Sequence, residues 1–134
     1  MMSAVTPEFA MGYSAAWAAH DPDAIVAMHT HDTVFDMHGL AEPAVGRDAV
    51  RAAIAALFAQ SPDLMFEPRR AHLGTDHFVS EYQVSGTADD KHFACEGVDV
   101  FTIRDGLIAR KDTYIDGLSY QRQVGLDLAA TATP

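Results

Sequence analysis

From Pro7 to Ala19 the bulky residues Phe9, Tyr13 and Trp17 recur at every fourth position, so a first helix is predicted with all three on one face. Asp21 then offers an N-cap, Pro22 a first helical position, and Ile25 with Met28 a buried side, which predicts a short second helix ending near His29. The alternation in "TVFDMHG" predicts a strand that stops at Gly39, followed by a loop with Pro43. In "GRDAVRAAIAALFAQSP" the residues Val50, Ile54, Leu57 and Phe58 form one apolar stripe, and Pro62 ends this long third helix. Four further segments, "LMFEPRRAHL", "HFVSEYQVSGT", "KHFACEGVDVFTI" and "LIARKDTYI", read as strands joined by the short polar turns "GTD", "ADD" and "RDG". Such short connections make the strands antiparallel.

Three helices followed by long hairpin strands define an α+β order, with the helices on one face of a curved sheet and an apolar pocket inside the resulting cone. The 134 residues form one domain, expected over 1–128, with a frayed, disordered tail at 129–134. Apolar residues make up 49% of the chain and charged residues 21%, the balance of a globular protein. The net charge of -10, offset by no basic cluster denser than Arg69-Arg70, excludes nucleic acid as an expected partner. No stretch is long and apolar enough to span a membrane and the N-terminus lacks the marks of a secretory signal, so a cytoplasmic location is expected. The single cysteine, Cys95, lies in an apolar run and is expected in the core.

Candidate chemistry lies in acids placed among apolar residues. In "TVFDMHG", Val34, Asp36 and His38 share one face and Phe35 and Met37 the other. Asp36 is either a desolvated general base lining the pocket or an edge-strand acid facing water. Asp99 stands in a row with Cys95, Gly97, Phe101 and Ile103, where a carboxyl group must be partnered, held protonated or part of a site. Asp112 falls on a face with Ile108, Arg110 and Tyr114, and either pairs with Arg110 or acts chemically. Tyr13 is either a donor to a ligand oxygen or a core tyrosine bonded to the backbone. The histidines of "HTHDTVFDMHG" share no face of one element, so no metal site is expected there. Phosphate-binding glycine loops and nucleophile motifs are absent from the sequence.

The stretches "YSAAWAAHDPDAIVAMH", "TVFDMHG", "GRDAVRAAI", "GVDVFTIRDGLI" and "KDTYIDGLSYQRQVGL" resemble the NTF2-like superfamily, in particular its SnoaL-like and ketosteroid isomerase-like branch. The resemblance implies a cone-shaped barrel with three N-terminal helices on a strongly curved, mostly antiparallel sheet. It also implies matching roles: Asp36 as a base beside a carbonyl, Tyr13 and a neutral Asp99 as donors to the enolate oxygen. The long helix departs from those isomerases, since Val50, Ile54 and Leu57 stand where supporting tyrosines are found. Asp112 in "RKDTYID" resembles an acid used by limonene epoxide hydrolases and by SnoaL-like polyketide cyclases, with His38 as its possible partner in the cyclase case. Epoxide hydrolases also need an Arg-x-Asp pair where this chain has Tyr82 and Val84.

The expectation is therefore an acid/base enzyme, needing no cofactor or metal, that converts a small apolar carbonyl compound by isomerisation or cyclisation through an enolate. Its catalytic residues would be Tyr13, Asp36, Asp99 and Asp112, with His38, Trp17, Phe101, Tyr82 and Tyr114 against the substrate. The alternatives are a dimeric ligand-binding domain without catalysis and an epoxide hydrolase-like enzyme. The outer sheet row Glu96, Val98, Val100 and Thr102 predicts a homodimer packed sheet to sheet.

Overall fold

A computed structural model describes residues 5–125; the expected tail at 129–134 and the 1–128 boundary lie outside them. The elements run α1 (Pro7–Ala18), α2 (Pro22–Val26), β1 (His29–Met37), β2 (Ala44–Val45), α3 (Arg47–Gln60), β3 (Met65–Leu73), β4 (His77–Ala88), β5 (Lys91–Arg104), β6 (Leu107–Ile115) and α4 (Gly117–Val124). The local reasons are those in the sequence. Thr6 caps α1 by accepting from the Phe9 N–H with Pro7 next to it, and Asp21 caps α2 by accepting from Ala24. The β4–β5 and β5–β6 turns place Asp89 and Asp90, then Asp105 and Gly106, at positive φ, the conformation that closes tight hairpins.

The sheet has the order β2-β1-β6-β5-β4-β3 and is curved and unclosed. β3 to β6 pair antiparallel, whereas β1 runs parallel to β6. Packed against the sheet, α1 to α3 bury Tyr13, Trp17, Ile25, Val50, Ile54 and Phe58 against Phe35, Phe78, Phe101 and Ile108. A smaller cluster of Tyr82, Val84, Ala88, Phe93 and the buried Cys95 lies against Tyr120 and Val124 of α4.

Four local expectations change. His29 does not end α2: it opens β1 with no solvent exposure. β2 occupies part of the expected Pro43 loop, and α4 is a fourth helix, started by Asp116 accepting from Ser119 and ended by Gly125 in the left-handed conformation. Ile108 does not share a face with Asp112, because a register shift near Ile103 and Ile108 turns Ile108 into the core while Arg110, Asp112 and Tyr114 face outward.

Candidate functional site

Two cavities, of about 250 and 460 Å³, lie between the helices and the concave sheet face. One is walled by Ala10 and Ser14 of α1 and Pro68 and Ala71 of β3; the other by Leu57 and Ser61 near the end of α3, Gly39 to Ala41, and Tyr120 of α4. Trp17, Phe66, Tyr82, Asp99 and Lys111 line both, so these side chains form the shared wall.

The polar centre of that wall is an acid and an amine. Asp99, only 6% exposed, accepts through Oδ1 from the Tyr82 hydroxyl at 2.9 Å and the Thr113 hydroxyl at 2.7 Å. The Lys111 ammonium, 4% exposed, stands 3.6 Å from Asp99 Oδ2 and donates to the Tyr13 hydroxyl oxygen at 3.3 Å. Its Nζ lies 3.8 Å from the centre of the Trp17 ring, with the rings of Tyr13, Phe35 and Phe101 at 5.1, 5.2 and 5.5 Å. Burial drives the Lys111 amine down to about 8, against the opposing pull of Asp99.

Tyr13 passes the network on to His29, with Oη 2.9 Å from Nε2, and His29 Nδ1 is 2.9 Å from Thr33 Oγ1. Burial first, then the charges of Lys111 and Arg47, push His29 down to about 3, so its ring is neutral. The neutral ring carries one N–H and one bare nitrogen, so it donates to one of these two hydroxyl groups and accepts from the other. Burial also raises the Tyr13 phenol well above its ordinary value. The Trp17 indole N–H pulls the other way without reaching hydrogen-bond geometry: Nε1 is buried and has no partner among the described residues.

The remaining candidates assemble on the opposite side of the sheet. Phe35 takes the buried side of β1, so Asp36 faces outward and meets Arg110 Nη2 at 3.2 Å and His38 Nε2 at 3.4 Å. Asp112 receives Arg110 Nε at 2.9 Å and His38 Nε2 at 2.7 Å, while the His38 ring stacks on Tyr114 at 4.2 Å. Burial raises the Asp112 carboxyl, but the hydrogen bonds from Arg110 and His38 outweigh it and leave it below the ordinary value. Asp36, His38 and Asp112 bring three possible ligand atoms within 4.8 Å of one another. Arg110 sets one positive charge against the two carboxylates and donates to both, tying the group into an ion-pair network.

Of the expected site residues, then, Tyr13, Asp99, Trp17, Phe101 and Tyr82 line a cavity, while Asp36, His38, Asp112 and Tyr114 do not share it. Asp36 and Asp112 lie on the other side of the sheet from Asp99. Lys111 and His29 were absent from the expected site. A lysine placed between apolar Ile108 and Ile115, in a chain with only two lysines, was the available signal for the first.

The fold defines a class, and the comparisons refine it. The sequence model of the SnoaL-like domain matches residues 11–111, and the chain belongs to that family. A comparison with curated proteins finds no match. Among solved structures, a protein from Catenulispora acidiphila DSM 44928 with a ketosteroid isomerase-like fold, in complex with trimethylamine, is 24% identical. It aligns over 96% of this chain and 99% of its own, with a TM-score of 0.83. A putative SnoaL-like polyketide cyclase from Jannaschia sp. CCS1 is 19% identical over 95% of this chain and 92% of its own, with a TM-score of 0.78. TerC, co-crystallised with polyporic acid, is 17% identical over 88% of this chain and 96% of its own, with a TM-score of 0.77. The shared fold is the ketosteroid isomerase-like, NTF2-like one. No helix among the described residues is long and apolar enough to cross a membrane.

Proposed function

We propose that the chain is an acid/base catalyst of the isomerase or cyclase type, acting on a small apolar molecule that carries a carbonyl group. The observation that carries this reading is the Asp99 carboxylate beside the Lys111 ammonium in the shared wall of two apolar cavities. The substrate oxygen accepts from Lys111. Asp99 removes a proton from the adjacent carbon, and the electron pair moves onto that oxygen. Return of the proton at another carbon gives the isomer, whereas attack of the carbanion on a second carbonyl closes a ring. In this scheme Lys111 takes the donor role that the resemblance implied for Tyr13, whose hydroxyl is already engaged by Lys111 and His29. Cavities of this size admit a compact substrate.

The test is proton–deuterium exchange by NMR on a panel of enolisable ketones and enones. Wild-type protein exchanges the proton next to the carbonyl, Asp99→Asn slows exchange by about 100-fold or more, and Asp36→Asn leaves it unchanged. Exchange that survives in Asp99→Asn, or that disappears in Asp36→Asn, overturns the assignment.

A second reading, ligand binding without catalysis, is favoured by the pairing of both Asp36 and Asp99 with basic residues. It leads to saturable binding of a panel ketone with no exchange. Both readings include a homodimer through the outer sheet face, where Val98 and Val100 alternate with Asp99 and the neighbouring Tyr114 is 46% exposed.

A further inference from the structure

A buried lysine is an expensive way to fill a hydrophobic wall, since a methionine of similar length would pack there without losing hydration. Lys111 is nevertheless held in a defined place. Among the described residues its Nζ makes one hydrogen bond, to Tyr13, and one ion pair, with Asp99. The rest of its surroundings are aromatic faces and the two cavities. We propose that Lys111 is an amine nucleophile that forms an imine with a small aldehyde, ketone or 1,3-diketone bound in this cavity. The inference rests on the proposal that the cavity receives carbonyl compounds and specifies how the carbonyl is activated.

The surrounding groups supply what the step needs. The ammonium loses a proton to Asp99, 3.6 Å away, and the freed lone pair forms a bond to the carbonyl carbon while the C=O π pair moves to oxygen. Asp99 passes that proton to the alkoxide, accepts another from the nitrogen, and delivers it to the hydroxyl group, which leaves as water. The sum is amine plus carbonyl giving imine plus water, with no oxidant or reductant. The protonated imine then acidifies the neighbouring C–H. Asp99 removes that proton, the electrons form an enamine, and the carbon is reprotonated or attacks a second carbonyl. Hydrolysis returns the free amine.

Each facing group is compatible with this cycle. Tyr82 and Thr113 donate to Asp99 Oδ1 and hold the carboxylate in position, leaving Oδ2 toward Lys111. Tyr13 faces the amine from α1 and stays protonated, and behind it the neutral ring of His29 adds no competing charge. With its amine near 8, Lys111 presents about 300 times more free base at neutral pH than an ordinary lysine.

Acetylacetone is the probe, because an amine converts it to a vinylogous amide that needs no trapping reagent and absorbs in the near ultraviolet. The chain has only two lysines, Lys91 and Lys111, and Lys91 is exposed. The expected result is one adduct, heavier by acetylacetone minus water, that peptide mapping places on Lys111. Lys91→Arg retains it, and Lys111→Arg, which keeps the charge without the nucleophile, loses it. Mapping on the wild-type chain decides the matter even if Lys111→Arg does not fold. An adduct confined to Lys91 or the N-terminal amine overturns the proposal. Absence of any adduct alongside Asp99-dependent proton exchange also overturns it, and leaves Lys111 as a hydrogen-bond donor only. Absence of both overturns the carbonyl reading of the cavity as well.

Discussion

His29 has no solvent exposure and sits between a tyrosine and a threonine, so a proton on its ring has nowhere to be solvated. Its folded value of about 3 lies below the ordinary value of 6.5, so the unfolded chain binds a proton that the folded chain refuses throughout that interval. Stability falls as pH drops from about 6.5 toward 3, by on the order of a few kcal/mol from this residue. Urea denaturation across that range checks it: His29→Gln, which keeps two hydrogen-bonding atoms, should reduce the pH slope by about one proton. Lys111 works in a different window. Its lowered amine makes the unfolded state the better proton acceptor above about 8, so the Lys111 contribution to stability rises from there toward pH 10, opposed from about 9 by the buried Cys95 thiol, which ionises first in the unfolded chain. Which side chains meet at the site was only partly legible. The row containing Asp99 and the helix face containing Tyr13 and Trp17 were readable from spacing, because both elements are regular. Asp36 was not, because alternation sorts a strand into two faces without saying which is buried, and here the larger apolar residue Phe35 takes the inside.

Along β5 the backbone makes room for the site at one point. A Cβ on Gly97 would come within 2.6 Å of the Tyr82 ring, so the glycine is what lets Tyr82 lie across the strand and reach Asp99. Gly97→Ala should displace Tyr82, cost about 1–3 kcal/mol in chemical denaturation, and slow any Asp99-dependent exchange. A mutant with wild-type stability and exchange would show that the ring can give way. The regular elements were legible because their signals are local: caps at Thr6 and Asp21, the apolar stripe of α3, and the Asp-rich turns that close the hairpins. What was missed depends on distant contacts. α4 is short and mostly polar, and is held by Tyr120 packing edge-on against Phe93. The offset in β6 that separates Ile108 from Asp112 is set by its pairing with β5, so counting by twos groups Ile108 with Arg110, Asp112 and Tyr114 although it lies on the other face.

At the scale of the molecule, the net charge of -10 disfavours loose association and makes any stable contact depend on apolar complementarity. The proposed sheet-to-sheet dimer should sediment at twice the 14.5 kDa of one chain, and Val98→Glu, which adds charge to the outer face, should shift it to monomer. A monomeric wild type at micromolar concentration would refute the arrangement. The parallel pairing of β1 with β6 has a temporal consequence. His29 meets Ile108 and Phe35 meets Lys111 in that ladder, so strands from opposite ends of the chain lie side by side. During synthesis β1 emerges early and has no lasting partner on that edge until β6 has left the ribosome. The hairpins β3 to β5 form first, since their contacts are near in sequence. Lys111, carried by that last strand, completes the wall of the cavity only at the end, so a nascent or truncated chain holds no nucleophile in its interior.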